Sequence, residues 1–404
     1  MKIGLIREEK IPSDTRVAFT PDQIKSIIKS NTSFHFFVQP SSTRCFSDSE
    51  FQDAGAVLQE DITECDYIFG VKEVPITSLI SNKPYFFFSH TIKKQAYNKK
   101  LLKAILEKHI QLVDYECITN ENGIRLVAFG RWAGIVGSYN ALRTWNKRAN
   151  AVYNGNFTDL KPASEQKDYK ELTDYSLASK LAPGKFAVSG DGRVARGAWE
   201  LLDAAGVQEV SVEEYLRIQK PEKPIYVKLT TEMLYKHKVN NNIVLSHFFE
   251  HPDEYNCTFK QFYPHTDVFI NAVFWNPKAP VFFSWEEMIQ DNFAIQAIAD
   301  ITCDIEGSVP CTLKATTIAD PFMGIDKVSK TEIKPFSKKS LDMMTVDNLP
   351  NELPRNASEE FGNALMTYII PDLLSNQEIT NRATIAKNGE ISKRFNYLKE
   401  WVLS

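Results

Sequence analysis

The chain has 404 residues, 43% hydrophobic and 24% charged, with 47 Lys plus Arg against 51 Asp plus Glu and a formal net charge of −4. That length predicts two or three domains at ~150 residues each, with a core that needs no disulfide or metal staple. The lack of a basic excess argues against a nucleic-acid partner. No apolar run reaches the ~18 residues of a membrane span, and Arg7, Glu8, Glu9 and Lys10 interrupt any signal-peptide pattern.

The first half reads as strands alternating with helices. Residues 2–6 form a short apolar strand. Thr20-Pro21 is a helix start, an N-cap followed by proline, with Ile24, Ile27 and Ile28 as the apolar stripe. Residues 34–38, 67–71, 85–88 and 110–115 are further strands, the second of them buried by its near-continuous apolarity. Residues 96–108 have helical period, and Asn122-Gly123 is a hairpin-type turn leading into residues 126–129. From about 144 to 183 the chain turns polar and reads as a linker with irregular helix. A new α/β unit starts at Lys185, with a strand at 186–188 and a helix at 199–205 ended by Gly206. Strands are expected around 244, 267 and 297, and helix again through 359–374. This alternation predicts an α/β fold with a largely parallel sheet in each domain.

The strongest motif is Ser189-Gly190-Asp191-Gly192-Arg193-Val194-Ala195-Arg196-Gly197, which fits G-x-G-x-x-A between a strand and a helix. Gly190 permits the tight turn, Gly192 lets backbone approach a pyrophosphate, and small Ala195 lets the helix pack on the strand. The helix N-terminus then offers N–H groups to phosphate oxygens. An acid at the end of the next strand would hold the adenosine ribose, and Glu213 or Glu214 in Val210-Ser211-Val212-Glu213-Glu214 supplies it, favouring NAD. Arg193 and Arg196 leave NADP open, since a guanidinium accepts a 2′-phosphate.

A dinucleotide loop this far along the chain implies a preceding domain that carries the chemistry. There Lys72 and His90 end neighbouring strands and so point to one rim. A desolvated lysine near other cations takes protons from an amine or alcohol, and a histidine exchanges them near neutrality. Arg16, Lys93 and Arg131 add charge for carboxylate recognition. His247 and His251 form H-x-x-x-H around Glu250, but the ligand order and count fall short of a zinc site, so no metal is expected. Six cysteines without a C-x-x-C pair read as reduced packing residues.

With these residues in view, the chain resembles the alanine dehydrogenase/transhydrogenase N-terminal superfamily. Within it, the chain is most similar to lysine-forming saccharopine dehydrogenase and to lysine–ketoglutarate reductase. The segments that carry the resemblance are IGLIREEKIPSDTRVAFTP, FGVKEVP, YFFFSHTIKKQ, LVDYECITNENGIRLVAFGRWAG, DVFINAVFWNPKAP, DITCDIEGS and VDNLPNELPRNAS. The resemblance implies two Rossmann-like domains with a cleft between them and a discontinuous first domain. It sets residues 1–135 and 348–404 as the catalytic part and 136–347 as the dinucleotide-binding part. It implies NAD(P)-dependent hydride transfer linking saccharopine with lysine and 2-oxoglutarate. Lys72 then resembles the general base and His90 a second acid/base. Arg16, Lys93, Gln95 and Arg125 resemble substrate-binding positions, with Arg131 near them. Phe129, Gly192, Arg193, Asp347 and Leu349 resemble cofactor-binding positions. The alternatives are an alanine dehydrogenase-like enzyme and a catalytically silent nucleotide-binding homologue. The expected partners are small molecules in the cytoplasm, with monomer and homodimer both open.

Overall fold

Lys2–Leu5 (β1) starts the first sheet, followed by His35–Val38 (β2), Val57–Leu58 (β3), Tyr67–Phe69 (β4), Pro84–Phe87 (β5) and Gln111–Asp114 (β6). In this computed structural model, which describes residues 1–173 and 177–403, the chain forms two compact units. They are Met1–Phe129 with Pro354–Ser404, and Gly130–Leu353. The first sheet has the order β6-β5-β4-β1-β2-β3, all parallel, and the sequence of strands across it switches from one side of β1 to the other between β3 and β4. Two late strands, Thr384–Lys387 and Glu390–Ile391, extend it antiparallel beyond β6. Residues of β1, β4, β5 and β6 are buried almost completely, which is why their sequences are apolar without alternation.

The helix Pro21–Ser30 opens with a capping box. Thr20 Oγ1 accepts from Gln23 N, and the Gln23 side chain accepts from Thr20 N at 2.9 Å. Gln23 Nε2 also donates to Glu359 O and Asn363 Oδ1, which ties the returning C-terminal helix Pro354–Ala364 to this cap. Phe361, Leu365 and Ile369 of the returning segment are buried in the first core.

The second unit holds Lys185–Ser189 (β7), Gln208–Glu209 (β8), Ile225–Leu229 (β9), Tyr235–His237 (β10), Tyr255–Cys257 (β11), Val268–Asn271 (β12), Ala297–Asp300 (β13), Phe322–Asp326 (β14), Thr331–Ile333 (β15) and Ser340–Met344 (β16). Its main sheet runs β15-β14-β16-β13-β12-β7-β9-β8, parallel from β16 to β8, while β10 and β11 form a separate antiparallel ribbon. The two sheets are therefore mixed and mostly parallel, and the α/β class with two Rossmann-like sheets holds.

Three local expectations fail. The polar stretch expected as a linker with irregular helix from 144 to 183 begins otherwise, because residues 144–153 belong to Gly130–Tyr153, one helix of 24 residues; its described residues beyond 153 are irregular chain with short helical turns, and 174–176 lie outside the described residues. The polar residues of the long helix, Asn140, Arg143, Thr144, Asn146 and Arg148, are buried and hydrogen-bonded, so the apolar periodicity that marks a surface helix is lost. The stretch around 244 is not a strand: Leu245–Glu250 is helical, and Phe248 stacks on Tyr235 at 4.5 Å. The strand expected to end in Glu213 ends at Glu209. Ser211 caps the helix Val212–Arg217 through a capping box with Glu214, so the alternation Val210-Ser211-Val212 was a cap signature.

Candidate active site

The C-terminal ends of β1, β4, β5 and β6 meet at one edge of the first sheet, the edge where open α/β sheets place ligands. The chain leaves β4 through Gly70-Val71 to Lys72 and Glu73, and leaves β5 through Phe88-Ser89 to His90. Glu8, just after β1, accepts hydrogen bonds from Val71 N at 2.6 Å and Lys72 N at 2.9 Å, pinning the backbone of the lysine. Burial and the charge of Asp14 raise the Glu8 carboxyl to about 8 against the pull of those two N–H groups. Burial first, then the Arg16 and Lys10 cations, lowers the Lys72 ammonium to about 8. Among the described residues, no hydrogen bond engages Lys72 Nζ, so its amine is available to a substrate proton.

Arg16 is 3% exposed and is gripped by Asp14, with Nε to Oδ1 at 2.9 Å and a second contact at 2.5 Å. Burial opposes ionisation of Asp14, but the guanidinium outweighs it and holds this carboxyl down at about 2. Arg16 also lies 4.1 Å over the Phe129 ring, which stacks on Phe361 at 4.4 Å. His90 Nδ1 meets Glu73 Oε1 at 2.5 Å, and Lys10 Nζ meets Glu73 Oε2 at 3.0 Å. Burial works to raise Glu73, yet the His90 hydrogen bond and the His90 and Lys10 charges bring it down to about 2. His90 itself sits at φ 52°, a left-handed backbone that is uncommon outside glycine and clusters at functional sites. Asp114 holds this turn by accepting from Ser89 N at 3.0 Å.

Lys93 and Arg125 share Glu116, at 3.3 Å and 3.8 Å. Arg125 also lies over Phe88 at 5.3 Å and donates to Val127 O. Gln95 is exposed and accepts from Tyr97 Oη. Glu8, Asp14, Glu73 and Glu116 are the residues the sequence reading missed. Glu73 had a signal in its place beside Lys72, and Asp14 one in its place two residues before its partner Arg16, whereas Glu8 and Glu116 reach their partners through tertiary structure. Glu73→Gln is expected to flatten the acid limb of stability. A carboxyl held at about 2 stabilises the fold above the ordinary value of 4.5, and that contribution is lost as pH falls toward 2. Urea titrations of both proteins between those limits check it: the wild type should lose more stability on acidification than the variant.

In the second unit Gly190 ends β7 at φ 96°, and a Cβ there would meet Ala272 O at 2.9 Å, so glycine is required. Gly192 caps the helix Arg193–Ala204 with no side-chain cap bond, and a Cβ on it would meet nothing within 4 Å. The result is an open glycine cradle at uncapped N–H groups, which suits a pyrophosphate. Asp191 is held by Thr231, the hydroxyl donating at 3.2 Å. Ala195 is buried in the helix and Arg193 exposed. The adenosine-ribose acid expected at a strand end is corrected: Glu213 is exposed in a helical first turn, and the strand-end acid is Glu209, paired with Lys228 at 2.7 Å. β8 moreover lies outside β9 and does not adjoin β7. Arg131 lies in this unit, engaged by Glu200 at 2.7 Å. Asp347 is exposed two residues before the buried Leu349.

The fold, an α/β sheet with a lysine–histidine rim and a second with an open glycine loop, has counterparts among known proteins. Residues 4–136 match the family described as alanine dehydrogenase/PNT, N-terminal domain. The chain has the fold of an L-alanine dehydrogenase, at TM-score 0.64 and 14% identity with both chains fully covered. A transhydrogenase from Sinorhizobium meliloti is also similar, at TM-score 0.59 and 13% identity over 96% of this chain and all of that one. Among curated proteins, the lysine-forming NAD(+) saccharopine dehydrogenase of Emericella nidulans is a homologue, 26% identical over 95% of this chain and 94% of its own length. The mitochondrial alpha-aminoadipic semialdehyde synthase of Mus musculus is 28% identical over 98% of this chain and 47% of its own. The chain thus spans about half the length of the semialdehyde synthases it matches. Among the described residues, no helix is long and apolar enough to cross a membrane.

Proposed function

We propose that this chain is an NAD(P)-dependent oxidoreductase of the saccharopine dehydrogenase type, transferring a hydride at the C–N bond that links saccharopine with lysine and 2-oxoglutarate. The observation that carries the reading is Lys72, held at about 8 by burial and neighbouring cations on the same rim as the His90–Glu73 pair. Oxidation of a secondary amine needs a proton removed from nitrogen and a hydride removed from carbon. A bound nicotinamide supplies the hydride acceptor, NAD or NADP. Lys72 takes the nitrogen proton as general base. His90, hydrogen-bonded to Glu73, moves protons as water adds to the imine carbon and the amine departs. Arg16, Lys93, Gln95, Arg125 and Arg131 are assigned to the carboxylates of the amino acid and 2-oxo acid. Gly190, Gly192, Arg193 and Ala195 are assigned to the dinucleotide phosphates, and Phe129, Asp347 and Leu349 to its nicotinamide half. The first domain (1–135 and 348–404) would bind substrate and the second (136–347) the dinucleotide. The cysteines are free, which suits a reducing, cytoplasmic compartment.

The test follows nicotinamide absorbance with NADH or NADPH, 2-oxoglutarate and lysine. Oxidation dependent on both substrates is the expected result. Turnover with pyruvate and ammonia alone would assign the chain to the alanine dehydrogenase type. Nucleotide binding without turnover on any pair would mark a silent homologue.

A further inference from the structure

The β10–β11 ribbon and the short helix beside it gather three side chains that the dehydrogenase reading does not use. His237 ends β10, Glu254 immediately precedes β11, and His247 lies on the helix Leu245–Glu250. His237 Nε2 is 3.3 Å from Glu254 Oε2, and His247 Nε2 is 3.8 Å from the same oxygen. All three ligand atoms lie within 4.8 Å of one another. Tetrahedral zinc with bonds of ~2.0–2.1 Å sets its ligand atoms about 3.3–3.4 Å apart. Two of the three separations are therefore at or near that spacing, and the third is no more than 4.8 Å.

The surroundings favour a ligand role for His247. Its Nδ1 faces Tyr255 Oη at 3.1 Å, and Tyr255 Oη donates onward to Val244 O at 3.5 Å. Nδ1–H donating to that hydroxyl fixes the tautomer that presents Nε2 as an electron pair. The platform beneath is aromatic, with Phe248 stacked on Tyr235 at 4.5 Å and edge-to-face with Tyr255 at 5.1 Å. The register pairs His237 with Tyr255 and keeps Glu254 opposite the end of β10. His237 is the costlier ligand, because its Nδ1 accepts from Val239 N at 3.2 Å. A ring that gives Nε2 to a metal carries its proton on Nδ1 and gives up that bond.

We propose that His237, His247 and Glu254 form a binding site for a divalent transition metal of the zinc class, clipping the helix Leu245–Glu250 to the β10–β11 ribbon. Two imidazoles and one carboxylate leave room for solvent in the remaining positions and suit Zn²⁺ or Co²⁺ over Mg²⁺ or Ca²⁺. The H-x-x-x-H pair at 247 and 251 drew attention to this segment, but the second histidine of the set comes from β10, which only the ribbon brings near.

The tag-free full chain is titrated with Zn²⁺ by calorimetry and with Co²⁺ by visible absorption, beside His247→Ala and Glu254→Gln. These residues are partly exposed, and circular dichroism confirms that both variants fold. The expected result is saturable uptake of one equivalent, a four- or five-coordinate Co²⁺ spectrum, and at least ~10-fold weaker binding in each variant. Absence of saturable uptake by the wild type, or wild-type affinity in both variants, overturns the assignment.

Discussion

Lys72→Met is expected to lower turnover by at least ~100-fold while leaving the fold intact. The side chain that replaces the amine is close to it in length and carries no proton acceptor, so the loss falls on the chemical step. Burial and the Arg16 and Lys10 cations already disfavour the charged lysine, bringing it to about 8. Removing that charge relieves the disfavour, so thermal stability should stay level or rise at neutral pH. A large fall in turnover with unchanged melting separates loss of a base from loss of structure. The pH profile gives an independent check. In the amine-oxidising direction the wild-type rate should climb as pH rises toward about 8, since the neutral amine forms there, and then level off. That limb should vanish in the variant. A near-normal rate would remove Lys72 from the role of base.

Gly197→Ala is expected to destabilise the second unit by about 3 kcal/mol or more, at the upper end of what overpacking costs. A Cβ at Gly197 would sit 2.1 Å from Arg131 O, and one at Gly134 would sit 1.9 Å from Val194 O. The two glycines belong to the helices Gly130–Tyr153 and Arg193–Ala204 and let their backbones touch. The obstacle in each case is a carbonyl of the opposing helix, which cannot rotate aside as a side-chain tip would. Separating the helices would also shift the helix N-terminus that follows Gly192. Thermal unfolding should show the loss, and dinucleotide affinity should weaken with it. A melting temperature within a degree or two of wild type would overturn the close-packing argument.

The first sheet was legible because its central strands are buried on both faces and read as apolar runs. Lys72 and His90 stood out as charged residues just past such runs. Their acidic partners stood out less, because Glu8 on the Lys72 backbone and Glu73 on His90 act through contacts that only the sheet order creates. The Gly190–Gly192 loop was legible from its spacing between a strand and a helix, and φ 96° at Gly190 supplies the physical reason. The helix Gly130–Tyr153 was hidden by Asn140, Arg143 and Arg148, polar residues buried with partners elsewhere in the chain. Glu213 was misplaced because a capping box at Ser211 mimics strand alternation over three residues. In each case the pattern read correctly where burial decided the residue type, and failed where a specific hydrogen bond did.

The interrupted path of the first unit bears on how the chain is made. A ribosome delivers Gly130–Leu353 as one unbroken stretch, so the second unit can close as soon as that stretch emerges. Residues 1–129 emerge earlier yet wait longer, with the β6 edge unpaired and the surface that later receives Phe361, Leu365 and Ile369 still bare. Maturation is thus out of step with synthesis: residues 1–129 are made before the second unit yet completed after it. During that interval the nascent sheet is a template for off-pathway strand pairing, the situation in which chaperones are most needed.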